Sequence, residues 1–334
     1  MKTDRTKTDR SGRTAEISGG AGEMARFLLE KRNDDYLLAS HMNPEGDALG
    51  ASLALARALR ARGKKARVFN KDGVPRIYTF LPGHEEIMRE VPPGAEKLTL
   101  VLVDCAEPSR AGLEGVSFKE TLIIDHHESD GRAGAALEWI EPDAPAAGLM
   151  VYRLLKEMGT EVDRDTALNL YAALAVDTGT FRYPNTTAEC LRVAAELVEA
   201  GVSPSYVAGR LYETWSPGRL RLLGLALADT EIKDGTAVMC ITRRMFRETA
   251  TTIEDTENFA SFPRMLEGLK MAALLIEEGG RVIKGSLRSR GKTDVRLVAA
   301  ALGGGGHRNA AGFKMKGSLE EVKKALLEEA ARLK

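Results

Sequence analysis

Cysteine is scarce: Cys105, Cys190 and Cys240 are the three in 334 residues, and none lies close to another. That spacing excludes a disulfide framework and a thiolate zinc knuckle. An excess of either charge is also missing, since 48 Lys and Arg face 48 Asp and Glu. A basic field able to grip long nucleic acid is therefore not expected, while a short anionic substrate in a local pocket is. The chain has no apolar run of the length that spans a bilayer, and residues 1–20 are polar and charged without the apolar core of a secretion signal. A soluble cytoplasmic protein with no membrane partner is the expectation, with residues 1–20 as a mobile tail. Missing too are a GxGxxG dinucleotide loop, a Walker lysine loop and a GxSxG nucleophile elbow.

What is present is alternation. Tyr36–Ser40, Ala66–Asn70, Leu98–Val103 and Thr121–Ile124 are short apolar runs that suit buried strands. Between and after them, Ala48–Arg62, Ala146–Met158, Asp165–Val176 and Ala188–Ala200 read as helices. The pattern predicts an α/β fold with a parallel sheet and helices on both faces over residues 21–204. A helical connector over 205–230 follows, then a smaller mixed α/β domain over 231–334. Ala237–Thr242 starts the strand-like part of that domain. Within it, Lys270–Ile276, Arg281–Leu287 and Asp294–Ala300 read as a small sheet, and Leu319–Arg332 as the closing helix.

Carboxylates and imidazoles sit at the ends of these elements. His41, Glu45 and Asp47 occupy the turn after the first strand, Asp104 ends the LTLVLV run, Asp125–His127 follow TLII, and Asp177 follows a helix. In open α/β sheets ligands gather beyond the carboxyl ends of the strands. Each segment has a plainer reading. Asp47 could be the N-cap of a helix starting at Ala48, and Asp104 could simply begin a loop. Three adjacent titratable groups in DHH, however, carry a large solvation cost unless ligated, paired or exposed. Oxygen-rich donors with few imidazoles suit Mn²⁺ or Mg²⁺ better than structural zinc. Two such ions about 4 Å apart would favour in-line displacement at phosphorus.

The motifs HMNPEGDALGASLALA, LVDCAEPSR, IIDHHES and AVDTGTFRYPNTT resemble, in order, those of the DHH phosphoesterase superfamily. GSLRSRG followed by GGGGHRNAAGF resembles its C-terminal DHHA1 domain. The likeness is greatest to the NrnA-like branch of oligoribonucleases that also act as phosphatases on adenosine 3′,5′-bisphosphate (pAp). The resemblance implies two Mn²⁺, with Mg²⁺ as a substitute. His41, Glu45 and Asp104 would hold one, and Asp47, Asp104, His126 and Asp177 the other. It implies that His127 contacts phosphate beside the metals and that Asp125 orients the adjacent imidazoles. Arg288, Gly305, Gly306, His307 and Arg308 would hold a terminal phosphate, through guanidinium groups and close backbone N–H donors. The plain reading of Gly303–Gly306 is a flexible loop. Arg182 and Tyr183 could face substrate or equally support their own turn, and Phe181 reads as core.

One position departs from the family pattern, which has aspartate where this chain has Glu45. The extra methylene moves the carboxylate by about 1 Å on a fixed backbone, and a misplacement of about 1 Å can cost about a hundredfold in rate. Preserved but slower hydrolysis is the expectation. The implied partners are short RNA, pAp or dinucleotides. A cyclic or linear dinucleotide phosphodiesterase is the enzymatic alternative. A nucleotide-binding regulator whose catalysis Glu45 has weakened is the alternative of a different class. Assembly as a homodimer is left open.

Overall fold

The computed structural model describes residues 20–30, 35–128 and 134–333. Apart from Gly20, the expected tail lies outside them. The chain divides into two compact units, Met1–Thr214 and Trp215–Lys334, a division that falls inside the segment read as a connector.

The N-terminal unit contains, in order, α1 (Ala21–Glu30), β1 (Asp35–Ala39), α2 (Gly46–Ala61), β2 (Lys65–Phe69), β3 (Thr99–Val103), β4 (Glu120–Asp125) and β5 (Leu137–Ile140). Then come α3 (Ala147–Glu157), α4 (Arg164–Asp177), α5 (Ala188–Glu199) and α6 (Pro204–Tyr212). The strands form one parallel sheet in the order β2-β1-β3-β4-β5. The chain leaves β1 toward one edge and returns at β3 on its other side. That places the switch point between the carboxyl ends of β1 and β3, where His41 and Asp104 emerge.

One face of this sheet packs against helices. Leu38, Val101 and Ile124 meet Leu49, Leu149 and Leu170 in a continuous buried core. The α2–α4 contact is close because Gly50 has no side chain: a Cβ there would lie 2.3 Å from the Asn169 carbonyl oxygen. Helices were expected on the opposite face as well. Among the described residues that face is covered by irregular chain instead, with Cys105, Ala111 and Leu113 packed on Leu37, Leu100 and Ile123. The β3–β4 crossover contains Pro108, Gly112 and Gly115, the two glycines at φ 70° and 75°, which prevents a continuous helix.

The C-terminal unit contains α7 (Pro217–Ala228), β6 (Glu231–Lys233), β7 (Thr236–Ile241), α8 (Arg243–Thr249), β8 (Met271–Glu277) and β9 (Val282–Ser289). It ends with α9 (Val295–Ala301), β10 (Gly305–His307), β11 (Ala310–Lys316) and α10 (Leu319–Ala330). Its sheet runs β10-β11-β9-β8-β7-β6, with β7–β8 the parallel pair. The strand expected over Asp294–Ala300 is helix α9. Short apolar runs do not separate strand from buried helix, and here Asp294 caps the turn by accepting the Arg296 N–H at 3.0 Å. The third strand expected there is supplied by Ala310–Lys316. No described helix is long and apolar enough to cross a membrane.

Candidate metal centre

Four segments deliver the predicted side chains to one place. His41 follows β1, Asp104 follows β3, Asp125–His127 end β4, and Asp177 is the last residue of α4. His41, Glu45 and Asp104 form one group whose donor atoms lie within 4.8 Å of one another; Asp47, His126 and Asp177 form a second. Asp104 links them, with Oδ2 3.4 Å from His41 Nε2 and Oδ1 3.3 Å from His126 Nε2. Glu45 thus has a carboxylate oxygen within 4.8 Å of donor atoms of His41 and Asp104.

Asp47 is not the cap of its own helix. α2 begins at Gly46 with Glu45 in the cap position, and Asp47, fully buried, turns instead to the start of α3. Its two oxygens accept the N–H groups of Ala147 and Gly148, each at 2.7 Å. It thereby satisfies orphan donors of a different helix, and the alternative reading of Asp47 as a local cap does not apply.

The imidazole tautomers follow from their partners. His126 Nδ1 lies 3.0 Å from the Ala144 carbonyl and His41 Nδ1 2.8 Å from the Met42 carbonyl. A carbonyl only accepts, so both Nδ1 atoms carry hydrogen and each neutral ring turns its Nε2 lone pair inward. For His126 that lone pair faces Asp104, Asp177 and Asp47 oxygens at 3.3, 3.3 and 3.7 Å. Lone pairs aimed at carboxylates repel unless a proton or a cation lies between them.

Asp104 makes the same point. It is 1% exposed, and neither carboxylate oxygen has a hydrogen-bond partner. The imidazoles of His41, His126 and His127, at 3.3–3.4 Å, face this buried charge. Its backbone is also unusual, at φ 58°, in the left-handed region that aspartate tolerates better than most residues. The turn lets its N–H continue the ladder to Ile124 at 2.9 Å while the side chain enters the centre.

Without a metal, protons take up the strain. Burial works against a charged His41, but Asp104 outweighs it and lifts the imidazole to about 9. His126 is likewise raised against its burial, by Asp104 and Asp47. Asp47 is pushed up to about 7 by burial and by the Asp104 charge, and Asp177 rises for the same kinds of reason, burial and then Asp47. Asp104 alone falls below the usual carboxylate range, because three imidazoles outweigh its burial. Inward ring nitrogens, a buried carboxylate between them and crowded acids fit a divalent cation.

The remaining predicted residues divide. Asp125 Oδ1 receives His127 Nδ1 at 2.7 Å and the His127 N–H at 3.1 Å. Asp125 therefore orients His127 but not both imidazoles, since His126 is oriented by Ala144. Arg182 donates from Nε to the Gly179 carbonyl at 2.7 Å, and the Tyr183 ring lies where a Gly179 side chain would be. Both support the turn after Asp177. Phe181 packs edge-on against Tyr171, as core.

In the C-terminal unit, His307, Ala310 and Arg288 are register partners across β10, β11 and β9, so their side chains share one face of the sheet. Gly305–His307 is an exposed edge strand and not a flexible loop. Gly304 and Gly306 are needed because Cβ atoms there would lie 2.1 Å from the Gly312 oxygen and 2.6 Å from Ala311 Cα. Arg308 is exposed and donates to the Lys292 carbonyl at 3.0 Å.

Sequence reading missed two asparagines. Buried Asn70 donates to Ser40 Oγ at 3.1 Å and to the His41 carbonyl at 2.9 Å, fixing the backbone beneath that imidazole. Asn185 donates to the carbonyls of Pro145 and Asp177, at 3.0 and 3.1 Å, bridging the α3 approach to the end of α4. A polar residue closing an apolar strand, and an Asn after Pro184, were the available signals.

The family model for the DHH family, N-terminal domain, matches residues 36–175, and that for the DHHA1 domain matches residues 238–333. The bifunctional oligoribonuclease and PAP phosphatase NrnA of Thermus thermophilus is 39% identical over 316 residues, covering 91% of this chain and 93% of its own. The chain belongs to the DHH family. The protein of the same name from Bacillus subtilis is 27% identical over 284 residues, 84% of this DHH chain and 88% of its own. Among solved structures, an exopolyphosphatase-related protein from Bacteroides fragilis superposes with a TM-score of 0.86 at 25% identity, covering 92% of this chain and 95% of its own.

Proposed function

We propose that this DHH-family chain is a manganese-dependent phosphoesterase that hydrolyses very short RNA to nucleoside monophosphates and pAp to AMP and phosphate. The observation that carries the reading is the buried Asp104 carboxylate set between the inward nitrogens of His41 and His126, at 3.4 and 3.3 Å. The kinship to enzymes named as oligoribonuclease and PAP phosphatase supports the substrate class.

His41, Glu45 and Asp104 would hold one ion, and Asp47, Asp104, His126 and Asp177 the second. Bound there, divalent ions supply the Lewis acidity that activates water and offsets charge on the phosphate. The chain supplies position. Asp47 is fixed by two backbone N–H groups, and the two inward imidazoles are fixed by carbonyls. His127, held through Asp125, is the group to hold a phosphate oxygen and to pass a proton to the leaving oxygen. Arg288, His307 and Arg308, with the backbone of Gly305 and Gly306, would take the terminal phosphate.

The test is hydrolysis of pAp, short RNA, pApA and cyclic di-AMP with Mn²⁺, Mg²⁺ or EDTA. Turnover of pAp and short RNA with Mn²⁺, lost in EDTA, is expected. Binding without turnover in every metal would replace this reading with a nucleotide-binding regulator, and selective turnover of the dinucleotides would shift the substrate class.

A further inference from the structure

The LVDCAEPSR motif contributes Asp104 to the centre, but its Arg110 has no part in the chemistry above. Three loops meet where that arginine lies. Met42, next to His41, donates its N–H to the Arg110 carbonyl at 2.8 Å. Asn43, at φ 53°, donates its N–H to Asp72 Oδ2 at 2.7 Å, which ties the same turn to the loop after β2. Gly112 completes the junction at φ 70°. A Cβ there would lie 3.1 Å from Lys71 Cγ and 3.4 Å from Met42 Sδ, so these two side chains converge over the bare glycine.

The surface this makes is open to solvent, with Met42 39% exposed beside two cationic side chains. Lys71 and Arg110 are exposed, and neither belongs to an ion pair among the described residues. The nearby acid, Asp72, accepts the Asn43 N–H through Oδ2 and forms no ion pair with either cation among the described residues. A polarizable thioether suits the face of a nucleobase, and two unpaired cations suit a phosphodiester.

We propose that Met42, Lys71 and Arg110 form a shelf for the flanking nucleotide of an oligonucleotide, the one not recognised through its terminal phosphate. The base rests on Met42, and the next phosphodiester lies against Lys71 and Arg110. This deepens the phosphoesterase reading and rests on it for the identity of the substrate. The shelf gives the chain a means of preferring two or three linked nucleotides to pAp, which has no flanking nucleotide to place there.

The experiment compares steady-state kinetics on pAp and on the trinucleotide pApApA for the parent, Met42→Ala, Lys71→Gln and Arg110→Gln. Each substitution should raise KM for pApApA by about threefold to tenfold. Lys71→Gln and Arg110→Gln should leave kcat, and both constants for pAp, within about twofold. The Lys71→Gln/Arg110→Gln double variant should also flatten the salt dependence of trinucleotide KM. Equal KM ratios in parent and variants would overturn the shelf, as would equal losses on both substrates in variants that melt normally. If the parent hydrolyses neither substrate, the phosphoesterase reading fails by itself. Fluorescence polarisation with a labelled trinucleotide and chelator-treated protein then decides the shelf: weaker binding by the variants supports it, and unchanged binding ends it.

Discussion

Asp47 and Gly148 are 101 positions apart in sequence and joined by a 2.7 Å hydrogen bond from the Gly148 N–H. The bond ties the first turn of α2 to the first turn of α3 and brings a buried carboxylate into the metal centre. Gly148 permits it by having no side chain: a Cβ would lie 2.6 Å from Ala173 Cβ and 3.2 Å from Asp47 Oδ1. Gly148→Ala should therefore push α3 away from both α4 and Asp47. A loss of about 1–3 kcal/mol in urea unfolding is expected, the usual cost of overpacking. Manganese affinity measured by calorimetry should fall with it. Unchanged affinity would show that Asp47 needs no support from α3.

Metal binding should release protons. His41 and His126 are raised above the ordinary histidine value of about 6.5, His41 to about 9. In the metal-free protein their protonated forms contribute stability that is complete below about pH 6.5 and lost as pH rises through the raised values. A metal must displace those protons, so apparent affinity should increase from pH 6 to pH 8. The slope approaches about tenfold per pH unit for each proton displaced. Calorimetry in buffers of different ionisation heat counts them. A pH-independent affinity with no proton release would contradict the raised protonation of these rings.

Asp104→Asn should empty the centre. Both groups of ligands share its charge, and an amide places a donor where lone pairs already converge. Metal content and turnover should drop by more than the roughly 10–100-fold typical of outer partners. The titrations of His41 and His126, followed by NMR in metal-free protein, should move down toward ordinary values. Retained metal with an unchanged rate would sink the assignment.

Asn185→Ala removes two hydrogen bonds that join Pro145 to Asp177. At about 0.5–1.5 kcal/mol each, the loss should be visible in urea unfolding. The sharper reading is metal affinity: it should fall while KM for pAp, measured at saturating Mn²⁺, stays nearly constant. A change in KM alone would place Asn185 in substrate contact.

The convergence of His41, Asp104, Asp125 and Asp177 was legible because each lies at the end of a hydrophobic element. His41 and Asp104 meet as the two runs YLLAS and LTLVLV imply, beyond adjacent parallel strands. What periodicity could not convey was partnership at long range. Asp47 looks like a local cap because its neighbours in sequence begin a helix, while its partners Ala147 and Gly148 are ordinary helix-start residues. Asp294–Ala300 has too few residues for period two to be told from period 3.6, and a cap decided the outcome. The loop-covered sheet face follows from Pro108, Gly112 and Gly115, residues present in the sequence but outweighed by the expectation of a doubly covered sheet.

The strand order has a consequence for how the protein matures. Because β3 inserts beside β1 only after the chain has made its excursion through β2, the ion-binding residues are strangers to one another until the middle of the sheet closes. Asp177 arrives last, at the far end of α4. A divalent ion captured there acts as a rivet through four distant stretches of one unit. By mass action it would add about 2.7 kcal/mol at a hundred times its dissociation constant. Chelation should then soften the N-terminal unit and leave the melting of the C-terminal unit where it was, so that metal supply governs the durability of one half of the molecule.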